Sequence, residues 1–185
     1  MDIINKSDFS VTNTLSEILV NTRWGIHETK VILIILRKLY DFRVFLRKDK
    51  DGRYSTKNND IVIENIDSND LNTLISDIPT TFTVLRDEFI SVTSIDSSHA
   101  AREIKKVCDK LIDKKSNTAS PLDPKNPKSF RLLNWFTRIE YVDKDGLIYF
   151  DLNPHIIKYL VILVQYTELD FLYISQIDNE YALHI

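Results

Sequence analysis

Between residues 97 and 115 the chain reads SSHAAREIKKVCDKLIDKK, and Ile104, Val107, Cys108, Leu111 and Ile112 recur at intervals of three and four. That spacing lines one face of an α-helix with apolar side chains and predicts its burial. The opposite face carries Arg102, Lys105, Lys106, Asp109 and Lys110. Just upstream, RDEFISVTSID (86–96) predicts a shorter helix that ends in a turn. Two helices joined by a short turn, the second with a basic outer face, form a helix-turn-helix pattern.

The runs FRLLNWFTRIEYV (130–142) and LIYFDL (147–152) are rich in aromatic and β-branched residues, and the DKDG between them supplies Gly146 for a tight turn. They predict a hairpin, a candidate wing beside the basic helix. SNTASPLDPKNPK (116–128), with its three prolines, predicts a loop. NPHIIKYLVILV (153–164) predicts a helix capped by Asn153 with Pro154 in the first turn, and ELDFLYISQIDNEYALHI (168–185) predicts another.

Nearer the start, NTLSEIL offers Thr14 and Glu17 as a capping pair for a short helix. HETKVILIILRKLYDF (27–42) predicts a central buried helix, although its β-branched residues make a strand a competitor for the middle. RKDKDGRYSTKNND (47–60) has no apolar periodicity and predicts an exposed polar turn. DIVIENI and TTFTV predict short strands, and SNDLNTLISDI predicts a helix that stops at Pro79. The segments KVILIILRKL and KYLVILVQY are β-prone enough to pair with other chains if the core opens.

Composition narrows the function. The chain has 185 residues, 43% of them hydrophobic, which suits one domain with a substantial core. The single cysteine excludes a disulfide framework, and no Cys/His cluster has metal-ligand spacing. No apolar run approaches the ~18 residues of a membrane span, so a cytoplasmic protein is expected. The four histidines are scattered, and the three glycines form no phosphate-binding loop. No paired carboxylates or nucleophile turn can be located. Neither a catalytic residue, nor a metal site, nor a cofactor is therefore expected.

The net charge of −3 argues against nucleic acid only until its distribution is considered. Residues 27–53 hold eight Lys/Arg against four Asp/Glu, and 97–115 hold six against three. Residues 54–96 hold two against eight. A basic face on an acidic chain follows. Arg102, Lys105 and Lys106 are the candidate phosphate contacts, although a solvated charged face is the ordinary state of a surface helix. Ser98 and His99, at the helix start, can meet a phosphate or simply cap the helix. Arg131 and Arg138 lie on predicted strands, where pairing of the strand arginines with Glu140 or Asp143 is the structural alternative. Cys108, on the apolar stripe, reads as a buried inert thiol. The hairpin aromatics read as core-facing residues rather than base-stacking platforms, and the uncovered strand edges suit pairing with a second copy.

The order of these elements, with VTNTL and ETKVILIIL upstream and NWFTRIEYVDKDGLIYFDLNPHIIKYL downstream, resembles the N-terminal winged-helix domain of plasmid replication initiator proteins, from about Val11 to Ile185. The resemblance implies an α+β fold: a winged helix with additional N-terminal helices and a small antiparallel sheet. It implies that residues 1–185 are the first of two winged-helix domains, the second absent from this chain. The first domain of that family supports dimerisation and contacts the DNA backbone, and the second reads the origin repeats. Implied partners are double-stranded DNA at plasmid origin repeats, a second copy in a homodimer, and host replication proteins. The competing expectation is a dimerisation module that makes no direct DNA contact.

Overall fold

The computed structural model describes residues 8–12, 24–56, 62–63, 69–119, 125–126, 128–163 and 166–170. Strand β1 (Asp8–Thr12) precedes helix α1 (Ile26–Lys38), which runs through the centre. Six consecutive residues of this helix, Val31 to Leu36, are all buried, which on a helix turning 100° per residue means that protein surrounds it. This all-round burial decides the competition between helix and strand. The helix starts at Gly25, whose amide donates to the Glu28 carboxylate at 2.7 Å. A Cβ on residue 25 would lie 2.9 Å from Glu28 Oε1, so a larger residue there would shift the capping carboxylate.

After a 3₁₀ turn, β2 (Val44–Lys48) and β3 (Tyr54–Thr56) form a hairpin, which β4 (Val62–Ile63) extends. Over residues 47–56 the expected polar turn is thus the tip of a ribbon with the strand ends that lead into it, and residues 57–60 lie outside the described residues. Helix α2 (Asn69–Leu74) ends earlier than the halt at Pro79 predicts. Strand β5 (Thr81–Leu85) alternates exposed and buried residues and leads straight into α3 (Arg86–Thr93). Ser94, in the left-handed region at φ 58°, turns the chain toward a 3₁₀ turn at Ser97–His99 and then α4 (Ala100–Ile112).

The predicted hairpin forms from β8 (Phe136–Val142) and β9 (Leu147–Leu152). Strand β9 pairs with β5 on its other side, so the antiparallel sheet has the order β5, β9, β8. Helix α1, strand β5, helices α3 and α4, then strands β8 and β9: this order is a winged helix. Gly146 closes the wing at φ 60°, a conformation that favours glycine. Its carbonyl accepts from Arg86 N at 2.8 Å, tying the wing to the start of α3.

Four expectations are corrected. The segment read as a loop from Ser116 begins with a strand, β6 (Lys115–Ala119), paired to β7 (Phe130–Asn134). The run 130–142 is accordingly two strands in two sheets, divided at Trp135. The cause is a long-range contact: Trp135 N donates to Lys114 O at 3.0 Å, and its indole N–H donates to Ser116 Oγ, fastening a polar strand that propensity alone would not form. Third, α5 (Pro154–Val161) ends before the predicted helix does. The chain continues as β10 (Ile162–Leu163), parallel to β2, and β11 (Tyr166–Asp170), antiparallel to β1. The expected helix at 168–185 is a strand over its first three residues, and the remainder lies outside the described residues, as does the helix expected after Thr14. No helix among the described residues is long and apolar enough to cross a membrane.

Buried Glu28 faces Lys114 at 3.1 Å and the exposed Lys110 at 3.6 Å, joining the start of α1 to the end of α4. Glu28→Ala removes the helix cap and the partner of Lys114, and is expected to cost about 2 kcal/mol. Lys110→Ala, at the surface, is expected to cost less than about 0.5 kcal/mol. Urea unfolding midpoints of the two variants check the difference.

Candidate nucleic-acid interface

The stripe on α4 packs as its spacing predicts, with Ile104, Val107 and Leu111 in the core and Cys108 and Ile112 half-buried against it. This orientation forces the opposite face outward. The side chains of Lys105 and Lys106 are 73% and 59% exposed, open to a ligand.

They are not bare cations. Lys105 pairs with Asp109 at 2.6 Å. Lys106 and Arg102 converge on Glu103 at 2.7 and 3.2 Å, and the Lys106 bond leads the interactions that hold this carboxyl below the usual carboxylate range. Exposed pairs of this kind contribute little in water, so they leave these cations available to an outside anion.

At the head of α4, an open groove of about 440 Å³ runs between the helix start and the wing. Ser98, His99 and Arg102 line it from the helix, and Tyr141 and Asp143 line it from the wing. Ser98 is not the cap but the capped residue: its hydroxyl and amide donate at 2.8 and 2.9 Å to the carboxylate of Asp96, which caps the 3₁₀ turn. Those bonds hold the Asp96 carboxyl below its ordinary value. His99 Nδ1 lies 2.8 Å from Ser98 Oγ.

Arg86 also lines the groove. The neighbouring Tyr141 hydroxyl, which helps hold the Arg86 guanidinium above its ordinary range, donates to Asp143 at 2.6 Å. Sequence reasoning passed over Arg86 because nothing local distinguishes the first residue of a short helix. Only the long-range pairing of β5 with β9 brings it to the wing.

The two strand arginines do not join this group. Arg138 is held by Asp151 at 2.7 Å and Glu140 at 2.9 Å; Glu140 is a structural partner considered for it, whereas Asp143 accepts from Tyr141 instead. Arg131 lies on β7, in the separate two-stranded sheet, opposite Thr118. The structure therefore brings Ser98, His99 and Arg102 together with Arg86, carries Lys105 and Lys106 farther along α4, and leaves Arg131 and Arg138 apart. Among the described residues no group of three or more His, Cys, Asp or Glu side chains is placed to hold a metal ion.

A basic helix beside a wing is the architecture of a nucleic-acid-binding domain, and known proteins of similar sequence and fold bear on it directly. A family profile described as "Initiator Replication protein, WH1" matches residues 11–185. The chain belongs to that family. Among solved structures, the Pi initiator protein, in a crystal structure with iteron DNA, aligns with a TM-score of 0.59 at 16% identity. The alignment covers 96% of this chain and 60% of that one, so this chain spans less than two thirds of the length of its structural relative. The WH1 domain of MSBI1.176, a replication protein isolated from a multiple sclerosis patient, aligns with a TM-score of 0.46 at 11% identity, covering 81% and 88%. At such identities the likeness is one of fold. No curated protein matches.

Cys108 sits on the packed side of α4, and burial pushes its thiol up to about 12. The thiolate is the reacting form, and at pH 8 very little of it is present. Alkylation of the native protein at pH 8 is expected to run on the order of a thousandfold slower than that of the urea-unfolded chain, as mass spectrometry of timed samples will reveal.

Proposed function

We propose that this chain is the first winged-helix domain of a cytoplasmic plasmid replication initiator, binding the backbone of double-stranded DNA at origin repeats and forming homodimers. The observation that carries the DNA reading is the exposed row Arg102, Lys105 and Lys106 beside a wing. Membership of the initiator family supports it, as does the fold shared with the Pi initiator, a protein solved with iteron DNA. In this reading Lys105, Lys106 and Arg102 neutralise phosphates, and Ser98, His99 and Arg86 approach a further phosphate in the groove. The domain binds and orients DNA without catalysing a reaction. Base-specific recognition and contact with host replication proteins belong to the complete initiator.

For the homodimer, the supporting observation is on β7. Phe130 and Leu132 alternate along one face of the strand and are 61% and 58% exposed. Among the described residues β7 has a strand partner only in β6. An open strand edge beside large apolar side chains suits pairing with an identical strand. The wing strand β8 also has a single neighbour among the described residues, β9, but its arginine and glutamate are paired at the surface, so β7 replaces the wing hairpin as the better candidate.

A pure dimerisation module is the second reading, favoured by the pairing of Arg102, Lys105 and Lys106 with carboxylates of their own helix. Duplex DNA affinity across a salt series separates the two. Contact with about four phosphates gives a slope of log K on log salt near −3.6, and the module reading gives no affinity at low salt. Converting both Lys105 and Lys106 to Glu is expected to lower affinity at least about tenfold and to flatten the slope by about two units. Glu103→Gln, which releases Arg102 and Lys106, is expected to raise it.

The dimer has its own test. Phe130→Glu with Leu132→Glu is expected to shift the sedimentation profile from dimer to monomer while leaving circular dichroism unchanged. A dimer that persists would remove β7 from the interface.

A further inference from the structure

The four residues Asp-Lys-Asp-Gly occur twice, at 49–52 and 143–146, and fold alike. At the wing, Gly146 N donates to Asp143 O at 3.1 Å; at the β2–β3 tip, Gly52 N donates to Asp49 O at 3.2 Å. Both glycines have positive φ, 60° and 87°. The β2–β3 ribbon is thus a second hairpin closed in the manner of the wing.

It is also the more basic of the two. The wing turn is flanked by Val142 and Leu147, whereas the β2–β3 turn is flanked by Arg47, Lys48 and Arg53. Arg53 draws both acids of the tip to itself, bonding Asp49 at 3.2 Å and Asp51 at 3.0 Å. The exposed Arg47 and Lys50 are left with no carboxylate partner among the described residues. Of the three positive side chains at the tip besides Arg53, Lys48 alone leans on a ring, 5.6 Å from the centroid of Tyr54. The contrast with α4, where Glu103 and Asp109 accompany the cations, is direct.

The helix that precedes the ribbon is tied to the element that holds the wing. In the last turn of α1, Lys38 pairs with Glu88 at 3.3 Å, and Glu88 lies two residues from Arg86, whose amide holds the wing at Gly146. After the 3₁₀ turn that follows this helix, β2 extends five residues, about 17 Å. Beyond the buried Leu46 its side chains face solvent.

We propose that the β2–β3 tip is a second site for the sugar-phosphate backbone of duplex DNA, contacted by Arg47 and Lys50. The proposal rests on the reading of the chain as a DNA-binding domain and adds a surface separate from α4 and the wing. Removing one phosphate-binding cation lowers the magnitude of the salt slope by about 0.9.

The test compares the 185-residue chain with Arg47→Gln/Lys50→Gln on a short random-sequence duplex, by fluorescence anisotropy over a salt series. The variant is expected to bind about tenfold more weakly at low salt, with a slope flatter by nearly two units and an unaltered urea midpoint. Equal affinity and slope for the two proteins, with the Lys105/Lys106 variant weakened, overturn this inference and leave the proposed function standing. Absence of binding by the unsubstituted chain overturns both. Since the Lys50 side chain has no carboxylate to release, Lys50→Glu alone gives a second reading: a larger loss than Lys50→Gln supports phosphate contact, and no change for either refutes it.

Discussion

The surface of this domain depends on a buried junction at the end of α4. There Trp135 and Trp24 meet edge to face with ring centroids 4.8 Å apart, Lys114 lies 5.4 Å above the Trp24 ring, and the same lysine pairs with buried Glu28. Trp135 ties together four elements. Its amide and indole hold β6, and its carbonyl accepts from Asn153 N at 2.8 Å at the start of α5. It also separates β7 from β8. A large amphipathic ring with a satisfied N–H can organise such a crossing because it fills volume and fixes direction together.

The junction clamps one end of α4, and the stripe of Ile104, Val107 and Leu111 fixes its rotation. The exposure of Lys105 and Lys106 is a consequence: with the helix axis held and its apolar side spent on the core, these side chains have nowhere to point but outward. The wing is placed independently, by the Arg86 to Gly146 hydrogen bond and the β5–β9 register. The groove between helix start and wing is therefore bounded by two fixed elements, which gives its lining residues defined relative positions without a partner present.

What could be read from the residues follows from how local each cause is. The α4 stripe, the Asn153 cap with Pro154 and the Gly146 turn are decided within a few residues, and all three form as expected. Strands β6 and β10 were not legible because their causes are remote. KSNTA has little intrinsic strand preference and is held by Trp135, nineteen residues beyond Ser116. Ile162 and Leu163 leave the helix to lie beside β2, more than a hundred residues earlier. Of the candidate site, the helix cations were legible from periodicity, whereas their carboxylate partners mattered only once rotamers were known. Arg86 came into view through sheet pairing alone.

Charge distribution along the chain carries a further physical meaning. An acidic protein repels a polyanion at long range, and pairing within α4 shortens the reach of that helix's cations further. Under ~0.15 M salt the Debye length is about 8 Å, so distant acids are largely screened while charges at a protruding tip act at full strength on whatever they touch. Cations on ribbon tips and an exposed helix face thus escape the unfavourable net charge that the composition suggests. In the proposed reading, attraction is divided among α4, the wing groove and the β2–β3 tip, each contributing weakly. Binding then depends on their simultaneous alignment with a duplex, which the rigid core supplies.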